Sequence, residues 1–196
     1  MKIPIFPLNG AIMFPNTNLP LNIFEERYID MVNYSLSNNK IIGMIQHKGN
    51  NELYGIGCYG KITAFSETPD KRYIINLEGK SCYKIIREVN SDHKFRLCEI
   101  EVFEDYNNNQ LSDKLKIELI NFFKKYIEIK NINLSFDEIS KLNIIDLLKL
   151  IVMISPFDTS IKQLCLEIKS NTELYESVLS ALKIELASSQ QNVSIN

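Results

Sequence analysis

The residues with the most recognisable chemistry are 77–81, "LEGKS", which contain the Gly-Lys-Ser of a phosphate-binding loop. Such a loop also needs a glycine five residues before Gly79, where Ile74 stands, and a helix after it. The segment that follows, "CYKIIREV", has strand character, and Glu78 would stand beside the phosphates. We therefore predict a turn here rather than a nucleotide site, and no cofactor.

Metal ligands and catalytic nucleophiles are also scarce in this sequence. His47 and His93 are its two histidines, and its four cysteines form no C-x-x-C pair. Cys82, Cys98 and His93 can approach one another on neighbouring strands, but buried thiols and a turn histidine are the simpler interpretation. No G-x-S-x-G elbow marks a nucleophile. The sequence therefore predicts no catalytic residue, no metal ligand and no enzyme.

The remaining candidate is the opening stretch "MFPNTNLPLNIFEERY", residues 13–28. Aromatic side chains there supply contact area, and a free strand edge supplies hydrogen bonds, for an extended polypeptide. The residues predicted to bind peptide are Phe14, Pro15, Phe24, Arg27 and Tyr28. The same residue types suit a loop packed under a β-barrel, so core and binding surface are both open interpretations. The surface interpretation predicts that Phe14→Ser loses peptide binding without unfolding the protein.

The elements that must position this stretch follow from its prolines. Pro15 and Pro20 fix φ, lack an N–H and disfavour helix for the residue before them. The segment up to Ile23 must therefore be extended, as a loop or an edge strand. From Glu25 onward, apolar residues recur at helical spacing, and negative charge is favourable in a first turn. We expect an extended segment joined directly to a helix that begins near Glu25.

The chain as a whole divides into a β-rich half and a helical half, which indicates an α+β fold. Up to about residue 106, β-branched segments alternate with turn residues, as in an antiparallel sheet or a small barrel. Gly55, Gly57 and Gly60 punctuate one strand, as expected for bulges or a tight bend. The predicted boundaries are a β-rich domain at 1–106, a helical subdomain at 107–187 and a flexible tail at 188–196.

The helical half contains one segment that should lie at its centre. Residues 144–154 are apolar on nearly every side, which predicts the central helix of a bundle. Ser135 and Glu138 have the spacing of a capping box at the start of an earlier helix.

Composition limits the classes of partner and the cellular location. The 196-residue chain has a formal net charge of −2 and a pI of about 5.8, which argues against broad nucleic-acid binding. Its N-terminus lacks a signal-peptide pattern, and its most apolar run is too short to span a bilayer. We expect a cytoplasmic protein with reduced cysteines and no membrane contact.

Residues 3–32, "IPIFPLNGAIMFPNTNLPLNIFEERYIDMV", resemble the start of the N-terminal substrate-binding domain of the Lon ATP-dependent protease. That opening typically reads Phe-Pro-Leu, Phe-Pro, Leu-Pro-Leu and then Ile-Phe-Glu-x-Arg-Tyr. Two later segments are similar to further strands of the family: Gly57 with the following "CYGKI", and "TPDKRYIINLEGKSCYKI". Cys58 and Lys71 depart from the family pattern. The resemblance extends from residue 2 to about residue 187.

The resemblance implies a PUA-like β pseudo-barrel with one embedded helix, followed by a C-terminal helical bundle. It implies a standalone bacterial member, without the phosphate loop of the ATPase or the Ser/Lys segment of the protease. The implied function is non-catalytic binding of unfolded or target polypeptides, or of a Lon-type protease partner.

RNA binding is the alternative, because PUA-like barrels elsewhere hold RNA. It would need a basic stripe for phosphate contacts. Carboxylates interleave with the basic residues of the strand region, which disfavours nucleic acid as a partner. Those basic residues are Lys80, Lys84, Arg87, Lys94 and Arg96.

Overall fold

The computed structural model describes residues 1–49, 52–103, 111–134 and 136–193. Its strands are β1 (Lys2–Pro7), β2 (Asn18–Ile23), β3 (Ile41–Ile45), β4 (His47–Gly49), β5 (Glu52–Leu53), β6 (Ile56–Glu67), β7 (Tyr73–Val89) and β8 (Arg96–Phe103). Its helices are α1 (Glu26–Leu36), α2 (Asp113–Ile129), α3 (Phe136–Lys141), α4 (Ile144–Ile154), α5 (Thr159–Glu167) and α6 (Asn171–Val193).

Five strands close into a ring. The order is β7-β6-β3-β1-β8, and β8 pairs again with β7. β1 and β3 are parallel because the chain returns between them through β2 and α1, and the other pairs of this sheet are antiparallel. The small barrel expected from the sequence is confirmed, with one parallel pair that the turn signals did not indicate.

The predicted turn at residues 77–81 was wrong, because this segment lies inside β7. β7 continues for 17 residues, from the pairing with β2 to the pairing with β8. Ser81 lies opposite Tyr59 and Gly79 opposite Gly60, so Lys80 is one extra residue on β7. A β-bulge of this kind uses the same small and polar residues as a turn but continues the strand. The bulge beside Gly60 agrees with the bulge expected there.

The opening stretch has the predicted change from extended chain to helix. β2 contains Pro20 and pairs, among the described residues, with β7 alone, which is the edge position that proline tolerates. Glu25 is extended and precedes the first residue of α1, Glu26. α1 then buries the side chains of Tyr28 and Met31 against the barrel.

Tyr83 fills the interior of the barrel. Its side chain is fully buried, and its hydroxyl donates a hydrogen bond to the Met44 carbonyl oxygen at 3.1 Å. Burial raises the pKa of Tyr83 well above its usual value, so the hydroxyl stays neutral and keeps its proton to donate. The apolar residues packed around it are Ile3, Ile5, Ile45, Cys98 and Ile100.

Two glycines make room for the Tyr83 ring. A Cβ atom placed on Gly57 would lie 2.7 Å from the Tyr83 Cζ atom and closer still to the Met44 carbonyl oxygen. A Cβ atom on Gly43 would lie 2.9 Å from the Tyr83 hydroxyl. These positions on β3 and β6 therefore require glycine because the space of a side chain is already filled.

One helix of the C-terminal half belongs to the strand-rich unit. The first compact unit comprises Met1–Asp105 together with Asp158–Leu166, which contains most of α5. The Gln163 Nε2 atom donates to the Ile56 carbonyl oxygen at 2.9 Å, and the Lys162 Nζ atom donates to the Gly10 carbonyl oxygen at 2.6 Å. The sequence analysis grouped this segment with the helical half because polar side chains hold it to the strands. Such hydrogen bonds leave no hydrophobic periodicity in the sequence.

The second compact unit comprises Tyr106–Phe157 and Glu167–Asn196. Its central helix, α4, has the bounds predicted for it, and the Asn143 side chain caps it by accepting from the Asp146 N–H at 2.9 Å. α6 continues to Val193, into the segment predicted to be a tail. The capping-box residue Ser135 lies outside the described residues. No helix in the described ranges has both the length and the apolar character to cross a bilayer.

We predict that Gly57→Ala lowers the free energy of unfolding by about 1–3 kcal/mol, because the methyl group overpacks the core at Tyr83. Urea denaturation measures this change. Gly55→Ala is the matched control, since a Cβ atom at Gly55 meets nothing within 4 Å. Equal stabilities of the two variants would contradict the role given to Gly57.

Candidate functional site

The five residues predicted to bind peptide comprise two core residues, two exposed residues and Tyr28, which is buried except where it lines a cleft. Phe14 is 3% exposed and Pro15 is also buried. The Thr17 hydroxyl donates to the Phe14 carbonyl oxygen at 2.7 Å, and Gly79 lets the β7 backbone approach the same oxygen. Phe14 and Pro15 therefore belong to the core, and we correct their assignment to a binding surface.

Phe24, Arg27 and Tyr28 lie where a ligand can reach them. Phe24 is 66% exposed directly after β2. Arg27 and Tyr28 lie in the first turn of α1, where the Arg27 guanidinium stacks 4.5 Å from the centre of the Tyr28 ring. Arg27 also forms an ion pair with Glu25, with 2.8 Å between Nη2 and Oε2.

Arg27 and Tyr28 line a cleft of about 270 Å³, which we call the Tyr28 cleft. Its other lining residues are Pro7, His47, Glu88, Lys94, Phe95 and Arg96. The register of β1 and β8, with Ile5 opposite Arg96, brings two of these segments together. The sequence analysis missed most of this set because the residues come from separate segments, and no local pattern joins them.

The charged side chains of the cleft are three cations and Glu88. The Arg96 guanidinium donates to both Glu88 oxygens, at 3.0 Å from Nε and 2.7 Å from Nη2, and this contact raises the pKa of Arg96. The Lys94 Nζ atom lies 3.1 Å from the Glu26 carboxylate, and both side chains are exposed. Each cation therefore has a carboxylate neighbour. The neighbours of Arg27 and Lys94, which are Glu25 and Glu26, do not line the cleft.

Tyr28 has a packed ring and an accessible hydroxyl. The residue is 7% exposed, and its ring centre lies 4.4 Å from that of Phe6. Burial raises the pKa of Tyr28, and the charges of Arg27, Glu25 and Arg96 have smaller effects. Its hydroxyl therefore lies near these charged groups, yet it makes no hydrogen bond to any of the described residues.

The basic residues considered for RNA binding are largely neutralised within the protein. Lys80 lies 2.7 Å from Glu78, and Arg87 lies 2.8 Å from Glu99. The pairs made by Lys94 and Arg96 are given above. A protein that binds RNA phosphates needs cations that are not already paired, so this arrangement gives RNA binding no support.

A second candidate surface lies where β2, β6 and β7 run together. Phe24 follows Ile23, which lies opposite Tyr73, and Ile74 comes next on β7. Phe65 is 43% exposed, Ile74 is 46% exposed, and the Phe65 and Tyr73 rings meet edge to face at 4.9 Å. Neighbouring strand residues point to opposite faces, so Phe65 and Tyr73 share one face of this end of the sheet and Ile74 lies on the other. We call Phe24, Phe65, Tyr73 and Ile74, which surround this end, the sheet-end patch.

The two histidines lie at the Tyr28 cleft or beside it, whereas the cysteines are buried. Cys82 and Cys98 are buried, and the His93 ring stacks on Phe95 with 4.6 Å between ring centres. Across the described ranges, no three His, Cys, Asp or Glu side chains come together as a metal site.

Comparison with known proteins assigns the family. The family model described as "ATP-dependent protease La (LON) substrate-binding domain" matches residues 2–183. The chain belongs to this family. Among curated relatives, the Lon protease of Buchnera aphidicola subsp. Baizongia pistaciae is 23% identical over 198 residues, covering 95% of this chain and 25% of that protein. The chain spans a quarter or less of the length of the curated Lon proteases it matches.

Solved structures of Lon N-terminal domains share the fold. The Lon N-terminal domain protein from Xanthomonas campestris matches with a TM-score of 0.68 and 16% identity, covering 92% of this chain and 98% of that one. The N-terminal domain of Mycobacterium avium complex Lon protease matches with a TM-score of 0.71 and 12% identity, covering 93% and 98%. The fold and the family expected from the opening stretch are thereby confirmed.

We predict that Phe14→Ser lowers the free energy of unfolding by at least about 3 kcal/mol, because it removes a buried aromatic ring. Phe24→Ser should change this free energy by no more than about 0.5 kcal/mol, because the Phe24 side chain is mostly in solvent. Urea denaturation of both variants measures the difference. Wild-type stability of Phe14→Ser would contradict its placement in the core.

Proposed function

We propose that this member of the Lon substrate-binding family is a non-catalytic module that binds unfolded or target polypeptides. The observation that carries the proposal is the sheet-end patch on a chain of this family, where Phe24, Phe65 and Ile74 are exposed and Tyr73 is half-buried around one end of the sheet. Grouped apolar side chains on a protein surface mark interaction sites, whereas single exposed ones need no explanation.

The chemistry of the patch is suited to an unfolded chain. Phe24 and Phe65 offer aromatic area with few rotatable bonds, which suits varied apolar side chains. β2 lies beside the patch and, within the described ranges, has β7 as its single partner. Pro20 has no N–H to donate, so an extended polypeptide can add main-chain hydrogen bonds along this edge on either side of Pro20 while its side chains contact the patch.

The proposal assigns no bond-breaking step to this chain. Its support is that the family match covers a substrate-binding domain. A separate Lon-type protease is a partner consistent with that role, because it would cleave the polypeptides held here. The proposed location is the cytoplasm, where the four buried cysteines would stay reduced.

We predict that the double variant Phe24→Ser, Phe65→Ser binds unfolded casein at least roughly tenfold more weakly than the parent, because it removes two aromatic anchors. Fluorescence anisotropy of labelled casein measures the affinity. Ile117→Ser is the matched control, because Ile117 is 62% exposed on α2 and belongs to the second compact unit.

Two results would contradict the proposal in different ways. If the double variant bound casein as tightly as the parent, the sheet-end patch would not be part of the binding surface. Cleavage of casein by the purified chain with ATP, and not without it, would show that the chain is more than a binding module.

A further inference from the structure

We propose that the Tyr28 cleft binds a carboxylate that a polypeptide carries next to an apolar side chain. The inference deepens the proposed function and rests on it for the source of the ligand. The carboxylate belongs either to the end of a polypeptide or to an acidic side chain. The chemistry is the same in both cases, and the experiment below separates the two sources.

The Tyr28 hydroxyl, which no described residue accepts from, is the first group that a ligand in the cleft can use. Its oxygen atom is accessible rather than enclosed, so a ligand in the cleft can reach it and accept its hydrogen bond. Tyr28 is 7% exposed and lines the cleft. An oxygen atom placed in the cleft would accept the hydrogen bond that no described residue accepts.

The Arg27 guanidinium supplies the second group. An arginine has five N–H donors, and Glu25 engages the Nε and Nη2 atoms of this one. The Nη1 group makes no hydrogen bond to the described residues. The Glu25 side chain is 46% exposed, and ion pairs at such positions contribute little. A ligand oxygen can therefore share Arg27, or replace Glu25, at small cost.

The balance of charge favours a carboxylate over a phosphate. Three cations and Glu88 line the cleft, and the carboxylates of Glu25 and Glu26 pair with two of these cations from beside it. A doubly charged phosphate would also lie near Glu88, whereas a singly charged, planar carboxylate matches the fork of a guanidinium and meets less repulsion.

The size and the walls of the cleft indicate what accompanies the carboxylate. Its volume of about 270 Å³ corresponds to roughly nine water molecules in the liquid, and pockets for drug-sized ligands begin at about 300 Å³. Pro7, Phe95 and the Tyr28 ring form apolar walls. One amino-acid residue with an apolar side chain and its carboxylate suits this space.

The test is a chemical-shift titration of the full chain by NMR. The probes are N-acetyl-phenylalanine, which has a free carboxylate, and N-acetyl-phenylalaninamide, which has none. We expect the carboxylate to bind at least about tenfold more tightly than the amide, because charge-assisted hydrogen bonds are the stronger kind. A third probe, the α-amide of N-acetyl-phenylalanyl-glutamate, carries only a side-chain carboxylate.

Tyr28→Phe is the decisive variant, because it removes one oxygen that has no partner in the described structure and leaves the packed ring. It should weaken N-acetyl-phenylalanine binding about tenfold and leave amide binding unchanged. Tyr34→Phe is the matched control on the same helix, since Tyr34 does not line the cleft. Arg27→Gln should weaken carboxylate binding independently.

The outcomes separate this inference from the proposed function. Tighter binding of N-acetyl-phenylalanine than of the glutamate probe assigns the cleft to chain ends, and equal binding assigns it to either kind of carboxylate. Three results would overturn the inference and leave casein binding intact. They are equal affinity for the carboxylate and the amide, tighter binding of inorganic phosphate than of the carboxylate, and unchanged carboxylate affinity of Tyr28→Phe. If the chain bound the carboxylate probe but not casein, the role given to the cleft would stand and the proposed function would be rejected.

Discussion

The barrel depends on one buried contact, the hydrogen bond from the Tyr83 hydroxyl to the Met44 carbonyl oxygen. The ring that makes it occupies space that Gly43 and Gly57 leave open on β3 and β6. Because Tyr83 belongs to β7, the same contact fixes the strand that pairs with β2, β6 and β8. β7 contributes Tyr73 and Ile74 to the sheet-end patch at its start and Glu88 to the Tyr28 cleft near its end.

The two ends of β7 serve surfaces that lie close together. A straight strand of this length would span more than about 50 Å, yet Phe24 and Tyr28 are four residues apart and therefore within about 14 Å of each other. The bulges of β7 and the closure of the ring provide the curvature that this requires. A polypeptide of about five extended residues covers the same distance, so the apolar patch and the charged cleft are within reach of one bound chain.

The sequence predicted those features that depend on local chemistry. The prolines and the change of hydrophobic period placed the junction of β2 and α1, and the continuous apolar run placed α4. It did not predict the burial of Phe14, because core and surface use the same residue types and the decisive neighbour, Gly79, is distant in sequence. It also did not predict the Tyr28 cleft, whose lining depends on the register of strands that lie far apart in the chain.

The change of period at Glu25 explains how one short stretch serves both the core and a surface. Along β2 the residues alternate, with Ile23 buried, and Phe24 continues the outward series into solvent. The helix then turns by about 100° per residue, which buries Tyr28 and leaves Arg27 exposed above its ring. Ile23 and Tyr28 are thus held by the core on either side of the exposed residues. A binding surface built between two such anchors is positioned before any ligand arrives, which reduces the conformational entropy that binding must overcome.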